Sequence, residues 1–279
     1  MIVFLFYGID ICLINNLILA AMKVVIFAGG LGTRISEETD VRPKPMVEIG
    51  GKPILWHIMK IYSHYGYNDF IICLGYKGYV IKEYFMNYFL HNSDISIDLG
   101  NNKMEVLGTK SDNFKVTLVD TGLNTKTAGR LQQIKKYIGN ENFMLTYGDG
   151  VCDVDISELV KFHQTNSKIV TVTAVQPDAR FGGMDLSIDG AVNSFREKAK
   201  ADAQWINGGF FVLKPSVFNY LESDMSNVMW EDEPLEKITS DQELLAYKHS
   251  GFWKCMDALR DKIELNELWD NNKAPWKNW

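Results

Sequence analysis

Cysteine is scarce in this 279-residue chain, and the four present, Cys12, Cys73, Cys152 and Cys255, stand far apart with no Cys-x-x-Cys. That disfavours a disulfide framework and a zinc cage, and makes a reducing, cytoplasmic setting the expectation. Basic residues are not in excess either, since 29 Lys and Arg face 35 Asp and Glu for a net charge of -6. That balance argues against a surface built to hold duplex nucleic acid through many phosphates, and the expectation is that an anionic ligand is gripped locally by a few placed cations. There is no Ser/Pro/Gly tract and no internal repeat, which excludes linker-separated modules and solenoids. What is present is a composition 46% hydrophobic and 23% charged, enough for one large core and too apolar for intrinsic disorder.

The first 21 residues contain no Lys or Arg, and Asp10, Asn15 and Asn16 break their apolar runs. Those runs are too short to span a bilayer, and without a positive leader neither a secretory signal nor a cytoplasmic anchor is supported. The expectation is an upstream start or leader over residues 1–21, with the functional domain running from Met22 to Trp279 and no membrane role for it; an interfacial anchor is the alternative.

From Lys23 the run K-V-V-I-F-A is short, β-branched and apolar and breaks at Gly29-Gly30, so it reads as a buried strand feeding a glycine turn. Pro53 to Gly66 carries apolar residues at helical spacing between a proline start and a glycine stop. Asp69 to Leu74 reads as a second buried strand and Lys77 to His91 as a second helix. This β-α-β-α order predicts a parallel sheet covered on both faces, with ligands bound at strand carboxyl ends. Ile95–Leu99, Met104–Leu107 and Val116–Val119 read as an inserted β excursion. Thr127 to Ile138 returns to helix, Phe143–Tyr147 and Ile169–Val175 to strand, and Asp257 to Trp269 to helix before a tail holding Trp276 and Trp279. The expected fold is therefore α/β: a Rossmann-like, doubly wound, mostly parallel sheet with a β excursion and a helical, Trp-rich C-terminal tail.

Gly29-Gly30-Leu31-Gly32-Thr33-Arg34 follows the first strand directly, and backbone N–H groups there can approach phosphate oxygens closely. An ordinary tight turn has the same composition, and the spacing matches neither the P-loop nor the dinucleotide fingerprint. The reading sharpens with Arg34 and with Lys44, which sits in Arg42-Pro43-Lys44-Pro45-Met46, where two prolines fix φ on either side. Placed cations suit phosphoryl chemistry, in which the protein mainly positions reactants and neutralises charge on the leaving oxygens. Asp149 follows a second apolar strand between Gly148 and Gly150; turn or cap duty is the plain alternative, and a hard oxygen ligand for Mg2+ the functional one. The five histidines, His57, His64, His91, His163 and His249, are scattered and read as structural or surface residues.

G29-G-L-G-T-R with P43-K-P ten residues on, together with P43-K-P-M-V-E-I-G-G-K-P-I-L-W-H-I-M-K and G75-Y-K-G-Y-V-I-K-E-Y-F, resembles the nucleotidyltransferases that join a nucleoside triphosphate to a sugar 1-phosphate, and among them the cytidylyl group. The likeness runs from Met22 to Trp279. It implies CTP and glucose 1-phosphate as substrates, CDP-glucose and pyrophosphate as products, Mg2+ as cofactor, a hexamer, and a place at the entry to CDP-linked deoxysugars of surface polysaccharides. It also implies nucleotide contacts from Phe27, Ala28, Gly29, Gly30, Leu31, Gly32, Thr33, Arg34, Lys44, Thr125, Arg130 and Gly148, with Arg34, Lys44 and Asp149 catalytic. Asp257 is implied as the second metal ligand beside Asp149, although alone it reads as a helix N-cap. Glu197, Lys198, Asn207 and Gly208 are implied to line the sugar-phosphate pocket; without the family, Glu197 and Lys198 would be a solvated pair. Two positions depart from the family pattern, Arg42 where lysine is usual and Ala199 where proline is usual. A uridylyl or thymidylyl enzyme and a non-catalytic nucleotide-sugar sensor are the alternatives.

Overall fold

A computed structural model describes residues 22–30, 32, 39–177, 183–187, 191–196, 204–221 and 223–279. Residues 1–21 and the candidate residues Leu31, Thr33, Arg34, Glu197 and Lys198 lie outside the described residues. In chain order the strands are β1 (Val24–Ala28), β2 (Glu48–Ile49), β3 (Lys52–Pro53), β4 (Asp69–Leu74), β5 (Ser93–Asp98), β6 (Lys103–Thr109), β7 (Lys115–Asp120), β8 (Phe143–Tyr147), β9 (Gly150–Cys152), β10 (Val170–Val175), β11 (Gly183–Leu186), β12 (Val192–Arg196), β13 (Ile206–Leu213), β14 (Leu244–His249) and β15 (Trp253–Cys255).

Seven of these strands form one sheet in the order β14-β10-β13-β8-β1-β4-β7. β13 runs antiparallel to both of its neighbours, and the other adjacent pairs are parallel. The parallel crossovers put helices on both faces, which is why β1 and β4 read as apolar runs rather than alternations. Alternate residues of β1 serve two cores: Val24, Ile26 and Ala28 pack with the helix Ile54–His64, while Val25 and Phe27 face Leu131, Phe211 and Trp230 on the other side. The sheet is the Rossmann-like, mostly parallel one that the strand and helix rhythm predicts. Among the described residues no helix is long and apolar enough to cross a membrane.

The helices Ile54–His64 and Gly78–His91 fall where expected. The expected helix from Thr127 to Ile138 is two, Thr127–Gln133 and Lys135–Ile138, parted at Ile134. The excursion needs a correction. β5 and β6 form a separate exposed hairpin, but β7 is an edge strand of the main sheet, with Phe70 opposite Val116. K-V-T-L-V-D looks like a peripheral segment because an edge strand is only half covered.

The tryptophan tail folds back onto the start of the helix Ile54–His64. Trp276 is fully buried, stacked on Phe252 at 5.5 Å, and Trp269 meets the His57 ring edge-on at 4.6 Å. The His57 Nε2 lies 2.8 Å from the Ile49 carbonyl, and Trp276 Nε1 donates to its Nδ1, a pattern that assigns the neutral Nε2–H tautomer. Burial pushes the His57 pKa down to about 4, and burial does the same to His163. Both are structural residues, as expected.

Candidate active site

β1 and β8 are neighbours, yet the chain leaving β1 crosses to β4 on the opposite side, so the sheet changes winding direction between them. Such a point opens a crevice at the strand carboxyl ends. The register sets Phe27 opposite Tyr147, and the Gly148 N–H donates to the Phe27 carbonyl at 2.9 Å. Gly29-Gly30 and Gly148-Asp149 therefore emerge side by side. A Cβ on Gly148 would lie 2.9 Å from the Phe27 carbonyl oxygen and 3.0 Å from Pro45, so only glycine fits where the Lys44 turn packs against this edge.

Lys44 opens a short 3-10 turn, Lys44–Met46, preceded by Pro43 in extended geometry. Its Nζ lies 2.7 Å from Asp149 Oδ2 and 2.7 Å from Asp257 Oδ1. These two acids are 108 residues apart in sequence, and a two-stranded ribbon joins them: β15 pairs antiparallel with β9, Cys255 opposite Gly150, and the Met256 N–H donates to the Asp149 carbonyl at 2.8 Å. Asp257 is not the cap of the following helix, Leu259–Asp270. The N-cap is Ala258, and Asp261 in the first turn reaches back to accept from the N–H groups of Asp257 and Ala258 at 3.0 and 2.8 Å.

Burial alone would lower the Lys44 pKa, but the charge of Asp149, with hydrogen bonds to Asp149 and Asp257, outweighs it and holds the ammonium above the usual lysine range. Cys255 Sγ and one carboxylate oxygen each of Asp149 and Asp257 lie within 4.8 Å of one another. Burial, then the charge of Asp149, raises the Cys255 thiol, so it stays protonated beside the pair. Two carboxylates converging on one cation form a hard-oxygen donor set that fits Mg2+.

The cleft above this edge holds about 360 Å³ and is lined by Phe27, Ala28, Gly30, Gly32, Lys44, Pro45, Thr127, Tyr147, Gly148, Asp149, Met229 and Asp257. Eight of the candidate residues from the sequence are among them. Gly29, Thr125, Arg130, Asn207 and Gly208 are not. Arg130 is buried beneath the glycine turn, where its guanidinium donates to the carbonyls of Leu74 at 2.8 Å and Gly29 at 3.0 Å and to Thr121 Oγ1 at 2.6 Å. A Cβ on Gly29 would come within 2.2 Å of that guanidinium, so this glycine answers to the arginine below it.

Tyr147, Thr127 and Met229 are wall residues that sequence reasoning missed. Tyr147 has a local signal, as the last residue of a strand running into Gly-Asp-Gly; Thr127 and Met229 have none. Tyr147 connects the wall to Asn207, whose Nδ2 donates to the phenol oxygen at 3.3 Å and whose Oδ1 accepts from the Gly209 N–H at 2.8 Å. The Gly208 carbonyl accepts from Trp253 Nε1 at 2.7 Å.

The nucleotidyl transferase family profile matches residues 23–269. A glucose-1-phosphate cytidylyltransferase of Salmonella typhi is 56% identical over 259 residues, 92% of this chain and 100% of that protein. Among solved structures, HddC from Yersinia pseudotuberculosis is 25% identical with a TM-score of 0.65, over 89% of this chain and 99% of that one. A UDP-glucose pyrophosphorylase complexed with UDP-glucose, 17% identical over 90% of this chain and 99% of that one, shares the fold with a TM-score of 0.63.

Proposed function

The chain belongs to the nucleotidyl transferase family, and from that premise we propose that it is an enzyme transferring the cytidylyl group of CTP to α-D-glucose 1-phosphate, giving CDP-glucose and pyrophosphate. The observation that carries the reading is the meeting of Lys44, Asp149 and Asp257 beside the glycine turn, at the winding change of the sheet. The relative at 56% identity, matched over its whole length, supports the choice of cytosine and glucose.

The sugar phosphate oxygen is anionic at neutral pH and attacks the α-phosphorus in line, opposite the departing pyrophosphate, so no general base is needed. Two titratable cleft residues, Tyr147 and Lys44, hold their protons. Burial, followed by the neighbouring Glu231 charge, pushes the Tyr147 phenol well above its usual range, and Lys44 keeps its proton. Gly30 and Gly32 line the approach to the strand end without side chains of their own, and Lys44 supplies a fixed positive charge in the same cleft. Mg2+ held by Asp149 and Asp257 would supply charge neutralisation on the phosphate oxygens. Arg34, Glu197 and Lys198 complete the proposed contacts, the first on phosphate and the others on the sugar phosphate. A hexamer and a position upstream of CDP-linked deoxysugars belong to the same proposal.

The test is a competition: equal CTP, UTP, dTTP and GTP with labelled glucose 1-phosphate and Mg2+. CDP-glucose is the expected main product. Equal or greater yield of another nucleotide sugar overturns the base assignment, and no nucleotide sugar from intact protein overturns the enzyme.

A further inference from the structure

Behind the cleft wall lies a carboxylate that the sequence did not single out and that does not line the cleft. Glu231 Oε1 accepts a hydrogen bond from the Tyr147 phenol, and its Oε2 accepts one from Thr127 Oγ1 at 3.0 Å. Each hydroxyl has a second partner. Asn207 Nδ2 donates to the Tyr147 oxygen at 3.3 Å, with the amide orientation set by the Gly209 N–H on Asn207 Oδ1, and the Trp230 N–H donates to Thr127 Oγ1 at 2.7 Å.

A hydroxyl has one hydrogen and two lone pairs. The carboxylate can only accept, and at 3.0 Å it outcompetes the weak Met229 thioether 3.9 Å from Thr127 Oγ1, so it takes both hydrogens; Asn207 and Trp230 each occupy one lone pair. Among the described residues one lone pair on each oxygen has no further donor, on two side chains that line the cleft. At these two hydroxyls the wall thereby presents acceptors only. It favours ligand O–H or N–H donors, such as sugar hydroxyls or an exocyclic amino group, over carbonyl oxygens. The network also ties together four separated segments: the end of β8, the start of β13, the start of the helix Thr127–Gln133 and the loop before the helix Glu233–Ser240.

We propose that Glu231 is a positioning residue that orients Tyr147 and Thr127 as hydrogen-bond acceptors for substrate and couples the two sides of the cleft. The proposal rests on the catalytic reading above, so the variants are assayed with whichever triphosphate the wild-type protein turns over; a wild type with no turnover sinks that reading and is told apart at once.

Glu231→Ala is expected to raise KM about tenfold for a substrate, with a smaller change in kcat, because both hydroxyls then rotate freely. Tyr147→Phe should give a similar rise, and the double variant should be no worse than the more affected single one, since the two act as a unit. Glu231→Gln keeps an acceptor for the phenol and should bring KM most of the way back to the wild-type value. Melting curves run alongside. Additive effects in the double variant, or a Glu231→Ala protein that loses melting temperature while its KM stays at the wild-type value, would each overturn the proposal. If Glu231→Ala fails to fold, Glu231→Met, which fills a similar volume without an acceptor, takes its place in the double-variant comparison.

Discussion

Two cations flank the same glycine turn and live by different partners. Lys44 stands in the cleft between two carboxylates that are partly open to solvent, their side chains 28% and 29% exposed. Arg130 lies beneath, 4% exposed, and gives its hydrogens to backbone carbonyls and a threonine hydroxyl. A carboxylate can exchange one cation for another as ligands arrive. A buried carbonyl cannot, and it gives up part of its hydrogen bonding if the guanidinium goes, Leu74 keeping only Thr121 and Gly29 only the Tyr76 N–H. The same kind of charge thus serves chemistry on the upper side of the turn and structure on the lower.

The sharpest way to break this division is at the carboxylates. Asp149→Asn and Asp257→Asn should each lower turnover by about a thousandfold, the scale of a lost electrostatic contact to a reacting centre, with the protein still folded; steady-state rates with circular dichroism check this, and near-normal activity in either removes that residue from the site. Arg130→Ala should act on the other arm. Several acceptors each lose one of their donors and a large buried side chain is removed from beneath the turn, so urea unfolding should register a loss of about 3 kcal/mol, while the folded fraction keeps measurable turnover.

Acid should weaken the scaffold through its histidines. His57 and His163 have folded pKa values depressed to about 4 against an ordinary value of 6.5, so the unfolded chain binds protons first as pH falls. Their contribution is complete above pH 6.5 and is lost progressively between 6.5 and 4, at about 1.4 kcal/mol per pH unit for each once below 6.5. Unfolding free energies at neutral pH and near pH 5 measure it, and a flat profile contradicts the burial of these rings. The smallest effect concerns the cation pair itself. With the ammonium gone from between Asp149 and Asp257, Lys44→Met should bind Mn2+ about tenfold more tightly in the absence of nucleotide, read by calorimetry.

Most of the sheet was legible because buried parallel strands are written as continuous apolar runs, and β4 and β8 have the bounds read from sequence. β7 was misplaced because an edge strand mixes polar and apolar residues, as a peripheral hairpin does. Glycine turn, Lys44 and Asp149 carried local signals. Asp257 did not, since only the β9–β15 ribbon brings it to Asp149; the family resemblance supplied it. Arg130 reads identically in one dimension whether its guanidinium faces a ligand or a carbonyl. The Tyr147, Thr127 and Glu231 network was invisible for the same reason, being three segments that meet only after the sheet is wound.

The most direct test pairs two substitutions to the same residue, Lys44→Met and Arg130→Met, and measures unfolding free energy and turnover per folded molecule for each. The division predicts that Lys44→Met loses most of its turnover at a stability within about 1 kcal/mol of the wild type, because its partners are solvent-screened, whereas Arg130→Met loses several times more stability and keeps turnover in its folded fraction. The reverse outcome, an unstable Lys44→Met with active folded molecules beside a stable, inactive Arg130→Met, would contradict it.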